Sequence, residues 1–197
     1  MSDFEDAVAA ERRRIAAANV LREEKNRSEL ARWQETRDSV RDLLATAVRS
    51  LRAAGAEPIP VLGTRGRRGG RLFIGADRTV IVDRRWPMGR FALDAQAEVY
   101  ECRRVLRLRE TWVSRDGIDQ PDLRKSRLRT GLPADQRVMW DEGPLGTWDI
   151  PEAVRIGALG CFGHTETGQP LLLPVHSDDD PIPLTQYLAA AVAAYGV

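Results

Sequence analysis

Residues 2–54, SDFEDAVAAERRRIAAANVLREEKNRSELARWQETRDSVRDLLATAVRSLRAA, contain neither glycine nor proline. Gly55 and Pro58 follow directly. They are typical of a helix end, because glycine accepts the left-handed conformation and proline cannot continue a helix. The sequence therefore predicts one N-terminal helix over 2–54. At 1.5 Å per residue such a helix is roughly 75 to 80 Å long, which is more than one small domain covers.

Apolar side chains recur along this helix at alternating spacings of three and four residues, as in a coiled-coil seam. We predict an oligomer or partner interface at Leu30, Trp33, Val40, Leu44, Ala47 and Leu51. Upstream, the same spacing continues through Phe4, Val8, Ile15 and Ala18 around Glu11, and the step Arg22, Asn26, Leu30 acts as a four-residue stutter. Two alternatives stay open. The helix could break near residues 26–28 into an antiparallel pair, or it could pack along its own globular domain.

The pattern downstream of residue 57 changes to short runs of branched and aromatic residues between turn signals, which is typical of strands. In the run 105–113 apolar and polar side chains alternate, which predicts an antiparallel sheet with one buried face. Strands are predicted at 59–62, 72–74, 79–82, 98–102, 105–113, 138–140 and 171–175, a short helix at 151–159, and an alanine-rich last helix from Leu184 to Tyr195, buried on both sides.

These elements predict an α+β protein with two parts. The first, residues 2–54, is a long coiled-coil-like helix for oligomerisation or partner docking. The second, residues 57–197, is an antiparallel β-sheet domain with the C-terminal helix packed on the sheet. A chain of 197 residues with 43% hydrophobic residues can bury a core of this kind. Because it has no leader-like start, no apolar run of ~20 residues and only two cysteines, we expect a cytoplasmic protein that does not enter membranes.

Charge is segregated along the chain although the net charge is only +1. Residues 65–129 carry 17 basic and 9 acidic side chains, whereas residues 130–197 carry 2 and 9. The two segments either face each other and neutralise, or the basic one binds nucleic acid as an accessory protein would. In that alternative the contacts come from two arginine-rich loops, at Arg65, Arg67, Arg68 and Arg71 and at Arg124, Lys125, Arg127 and Arg129.

The chain offers little for catalysis or metal binding. It lacks a GxSxG motif. Cys161 and His164 have the spacing of zinc ligands, and further ligands could come from His176, Asp178 and Cys102, but a zinc site usually shows two short-spaced pairs of Cys or His. Four residues, Asp83, Glu98, Glu101 and Arg103, loosely resemble the active site of metal-dependent nucleases, but the lysine of that set is missing. We therefore expect no cofactor and no catalytic residue. The predicted function is a non-catalytic structural or adaptor subunit that assembles through the N-terminal helix and presents the α+β domain to a protein partner.

Overall fold

The computed structural model describes residues 2–65, 78–108, 130–145, 148–174 and 180–195. In these ranges the chain has the predicted α+β class. The helices are α1 (Ser2–Ala53), α2 (Ile150–Ile156) and α3 (Leu184–Ala193). The strands are β1 (Ile59–Arg65), β2 (Arg78–Met88), β3 (Phe91–Leu93), β4 (Val99–Glu101), β5 (Leu106–Arg107), β6 (Arg137–Trp140), β7 (Phe162–His164), β8 (Pro170–Leu172) and β9 (Ile182–Pro183).

Helix α1 runs without a break, so the alternative of two helices joined near residues 26–28 is wrong. The Ser28 hydroxyl donates to the Lys25 carbonyl at 2.8 Å, and the helix continues through it. At the C-terminal end Gly55 takes the left-handed conformation with φ 70°, and the Ala56 amide donates to the Leu51 carbonyl at 2.9 Å. Glycine closes the helix as predicted, since it reaches positive φ without strain. None of the described helices is long and apolar enough to cross a membrane.

Six strands form one sheet in the order β4-β3-β2-β1-β6-β5. Its neighbours are antiparallel except for β1 and β6, which run parallel, so the sheet is mixed rather than wholly antiparallel as predicted. Successive side chains of central strand β1 point to opposite faces. Val61 belongs to one core cluster with Cys102 and Met139, whereas Leu62 belongs to another with Val138. Both faces of β1 are therefore covered.

The chain divides into two compact units, each made of two separate segments. The larger unit, residues 41–146 and 184–197, holds the last part of α1, the six-stranded sheet and α3. Here α3 packs on the sheet as predicted, because the hydroxyls of Tyr187 and Tyr195 donate to the carbonyls of Met88 and Pro87 on β2. A groove of about 350 Å³ lies between α1 and α3.

The last helix is buried on one side only, which corrects the prediction of burial on both sides. Leu184 and Leu188 are buried, whereas Ala189, Ala190, Ala193 and Ala194 are exposed. A methyl side chain has too little apolar surface to require cover, so an alanine-rich helix can face water. The predicted helix at 151–159 is observed as the shorter α2, because Gly157 closes it with φ 73°.

The smaller unit, residues 1–40 and 147–183, holds the first part of α1, helix α2 and a three-stranded antiparallel sheet in the order β7-β8-β9. Asp149 begins α2, since its carboxylate accepts a hydrogen bond from the Glu152 amide. The Trp148 and Phe162 rings stack in this unit with centroids 6.1 Å apart. The division of the chain at residues 54–57 stays a prediction.

Candidate functional site

The predicted interface residues on α1 lie in two different environments. Five of the six are buried within this chain, namely Trp33, Val40, Leu44, Ala47 and Leu51. Leu30 is 36% exposed. A seam that is already covered in one chain has no free apolar surface for another. The coiled-coil spacing downstream of residue 33 therefore serves the core of the chain itself.

The upstream half of α1, residues 4–30, has the opposite character. Of the eight large apolar side chains that are exposed in the described ranges, five lie on this segment: Phe4, Ile15, Val20, Leu21 and Leu30. Phe4 is 76% exposed and Leu21 is 68% exposed. Phe4 and Ile15 lie about 20° apart around the helix axis, so they share one face. Single exposed apolar side chains are common, but those that share a face mark a contact surface. We call residues 4–30 the exposed segment of α1.

A buried arginine organises a polar cluster on the six-stranded sheet. Arg85 of β2 is 4% exposed. Its Nε donates to Asp83 Oδ2 at 2.7 Å, and its Nη1 donates to Asp141 Oδ1 at 3.0 Å. Asp141 follows β6, and β2 and β6 flank β1, which brings the two residues together. The guanidinium also lies 3.3 Å from the centroid of the Tyr100 ring, a cation–π contact.

Tyr100 extends this cluster to a buried carboxylate, that of Asp94. Its hydroxyl donates to Asp94 Oδ2 at 3.2 Å, and Asp94 Oδ1 accepts the amides of Gln96 and Glu98 at 2.8 and 2.9 Å. Burial, followed by the charge of Asp94, raises the pKa of Tyr100 above its usual value. Each charged group of the cluster thus has a hydrogen-bond partner within the protein, as buried charged groups usually do.

A small polar cleft lies in the smaller unit, next to Trp33. It has a volume of about 340 Å³ and is lined by Glu29, Arg32, Trp33, Val154, Gly157, Gly163, His164 and Leu173. The Trp33 and His164 rings meet at an angle of 61° with centroids 4.5 Å apart. His164 Nδ1 lies 2.9 Å from the Thr165 carbonyl oxygen. His164 Nε2 is buried, and no described residue hydrogen-bonds to it.

No known protein family, curated protein or solved structure matches this chain.

The other predicted sites stand as follows. Among the described residues no three His, Cys, Asp or Glu side chains are grouped to hold a metal ion. Of the nuclease-like set, Asp83 binds Arg85, and Arg103 Nε lies 2.5 Å from Glu101 Oε1. Cys102 and Cys161 are buried and unbridged, and burial raises the pKa of their thiols to about 11 and about 12. His176 and Asp178 lie outside the described residues.

The predicted nucleic-acid contacts also lie outside the part of the chain that is described. Residues 66–77 and 109–129 are not described, and only the backbone of Arg65 is described. Nucleic-acid binding through Arg65, Arg67, Arg68, Arg71, Arg124, Lys125, Arg127 and Arg129 therefore stays a prediction. The sequence did not single out Arg85, Tyr100 or Asp94. The available signal was a charged stretch, Asp83 to Arg85, between the apolar residues of the segment 81–88.

Proposed function

We propose that this chain is a non-catalytic structural or adaptor subunit. It assembles with itself through the exposed segment of α1 and presents its larger unit, which contains the six-stranded sheet, to another protein. The observation that carries the proposal is the difference between the two halves of one helix. From Trp33 onward the apolar stripe of α1 is buried in its own chain, whereas residues 4–30 keep large apolar side chains in water. Covering that apolar surface supplies a driving force for association.

The helix is suited to this role because it does not have to form on binding. The turn after residues 4–30 is held within the smaller unit, where the Trp33 and His164 rings meet with centroids 4.5 Å apart. An isolated short helix pays a nucleation cost, but residues 4–30 extend a helix that is already fixed at its other end. The exposed segment therefore docks with a smaller loss of conformational entropy than a free peptide of the same sequence.

Two features of the larger unit support an adaptor rather than an enzyme. The charges of the Arg85 cluster pair with one another, because Arg85 binds both Asp83 and Asp141, and the cluster thereby stabilises the unit. The unit also exposes Ile81 and Val82 of β2. Neighbouring exposed apolar side chains on a strand suit contact with a second protein.

Sedimentation velocity of the full-length chain over a wide range of concentration tests the assembly. We expect a concentration-dependent oligomer that the double variant Phe4→Ser/Ile15→Ser loses while keeping its circular dichroism and thermal unfolding. Both side chains are exposed, so their loss leaves the fold intact. Ile156→Ser, at another exposed isoleucine, is the matched control and should assemble like the wild type. A wild-type chain that is monomeric at every concentration overturns the proposed function.

A further inference from the structure

The apolar stripe of the exposed segment contains two charged residues of opposite sign. At 100° per residue, Phe4, Val8, Ile15 and Ala18 fall within an arc of about 80°, and Glu11 and Arg22 lie inside the same arc. All of these side chains are exposed except Val8, which is half-buried. Two copies paired in parallel would place Glu11 beside Glu11 and Arg22 beside Arg22. Like charges that meet across an interface oppose association.

Antiparallel pairing replaces both conflicts with attraction. In this orientation the stripe, continued through Asn26 and Leu30, runs in opposite directions on the two copies. The first residue of the stripe on one copy therefore faces the last residue of the stripe on the other. The facing pairs are then Phe4 with Leu30, Val8 with Asn26, Glu11 with Arg22, and Ile15 with Ala18. The two residue numbers of a facing pair add up to 34 in the first two pairs and to 33 in the other two. All four pairs therefore lie level to within about 1.5 Å along the helix axis. All pairs can therefore form in one alignment about 40 Å long.

We propose that a second copy of this chain binds antiparallel along residues 4–30 of α1, with Glu11 of each copy opposite Arg22 of the other. This inference rests on the proposed function, to which it adds the partner and the orientation. The two Glu11–Arg22 pairs select the orientation, because charge pairs across an interface govern specificity more than affinity. The apolar contacts of Phe4 with Leu30 at both ends supply most of the attraction.

The interactions that the pairing must displace are weak. Glu11 forms an ion pair with Arg14 at 2.9 Å within the same helix, but both side chains are more than half exposed. Surface pairs of this kind contribute little to stability, so Glu11 can exchange Arg14 for Arg22 at small cost. The pairing does not cover Val20 or Leu21, which lie about 140° and 120° around the helix from Ile15, and Leu30 lies at the edge of the paired face, about 60° from Ile15.

Charge exchange in the full-length chain tests the orientation. In Glu11→Arg and in Arg22→Glu, two attractive contacts become two like-charge contacts, so each variant should weaken dimerisation about tenfold or more. The double variant Glu11→Arg/Arg22→Glu restores opposite charges and should regain most of the wild-type affinity. Arg13→Glu and Glu24→Arg make the same charge changes about 170° from the middle of the stripe. These two controls should dimerise like the wild type.

Disulfide trapping gives an independent readout. Phe4→Cys alone and Leu30→Cys alone should form no disulfide dimer, whereas an oxidised mixture of the two variants should form the mixed one. Cys102 and Cys161 are buried with raised thiol pKa values, so they contribute little background. If the single variants form disulfide dimers, or if neither Glu11→Arg nor Arg22→Glu weakens dimerisation, the antiparallel orientation is wrong. Assembly through α1 would still stand. A monomeric wild type overturns both.

Discussion

Replacing the buried arginine on the sheet is the most direct test of how the larger unit is stabilised. Arg85→Met keeps the length of the side chain but removes the hydrogen bonds to Asp83 and Asp141, at 2.7 and 3.0 Å, and the contact with the Tyr100 ring. Breaking a fully buried ion pair costs about 3–5 kcal/mol. Here the two carboxylate side chains are 32% and 39% exposed, so water can solvate them once the arginine is gone. We therefore expect a loss of about 2–3 kcal/mol in the free energy of unfolding.

Urea unfolding followed by tryptophan fluorescence measures this loss, because Trp86 is buried beside Arg85 on the same strand. Arg84→Met is the matched control, since Arg84 is the exposed neighbour of Arg85 on the same strand, and it should change stability by less than about 0.5 kcal/mol. Asp83→Asn should cost less than Arg85→Met, because Arg85 keeps its bond to Asp141. If Arg85→Met unfolds at the same urea concentration as Arg84→Met, the cluster contributes nothing to stability and the reasoning fails.

Three further changes test local features of the fold. Gly89→Ala should destabilise the larger unit by at least about 1 kcal/mol in urea, since φ is +75° and the new Cβ would lie 2.5 Å from the Tyr187 hydroxyl. Asp149→Ala removes the cap of α2 and should lower the stability of the smaller unit by about 1 kcal/mol, whereas Asp149→Ser should nearly preserve it. Cys102 and Cys161, buried and with raised thiol pKa values, should react with Ellman's reagent at pH 8 only as fast as the chain unfolds; immediate reaction would contradict their burial.

The ends of helices could be predicted because they depend on neighbouring residues. Gly55 marks the end of α1 through its own conformation, and no distant contact is needed. The parallel pairing of β1 with β6 could not be predicted, because it joins Val61 to Met139 across a long intervening segment. Three-residue strands such as β3, Phe91–Leu93, are also too short to show a period in sequence.

The spacing of apolar residues on α1 predicted a contacting face but not what covers it. Ile15 and Leu44 belong to stripes with the same spacing, yet Ile15 is half exposed and Leu44 is fully buried. The difference depends on which other segments return to the helix, and the period of a helix carries no information about them. The same spacing therefore serves the core in one half and remains uncovered in the other.

The Arg85 cluster was missed for a related reason. Arg84 and Arg85 are adjacent and identical in type, yet one is exposed and the other buried, because neighbouring side chains on a strand point to opposite faces. Which face carries the matching charge depends on Asp141, 56 residues away. A sequence pattern with a period of two cannot identify that partner.

The interleaved segments of the two units affect how the protein folds during synthesis. Residues 1–40 leave the ribosome before the other half of their unit, which begins at residue 147. At about 5–20 residues per second, residues 1–40 wait roughly 5 to 20 s for the segment that completes their unit. Throughout that interval Trp33 has no contact with His164. Chaperones, or other copies being translated from the same mRNA, can then bind the nascent chain.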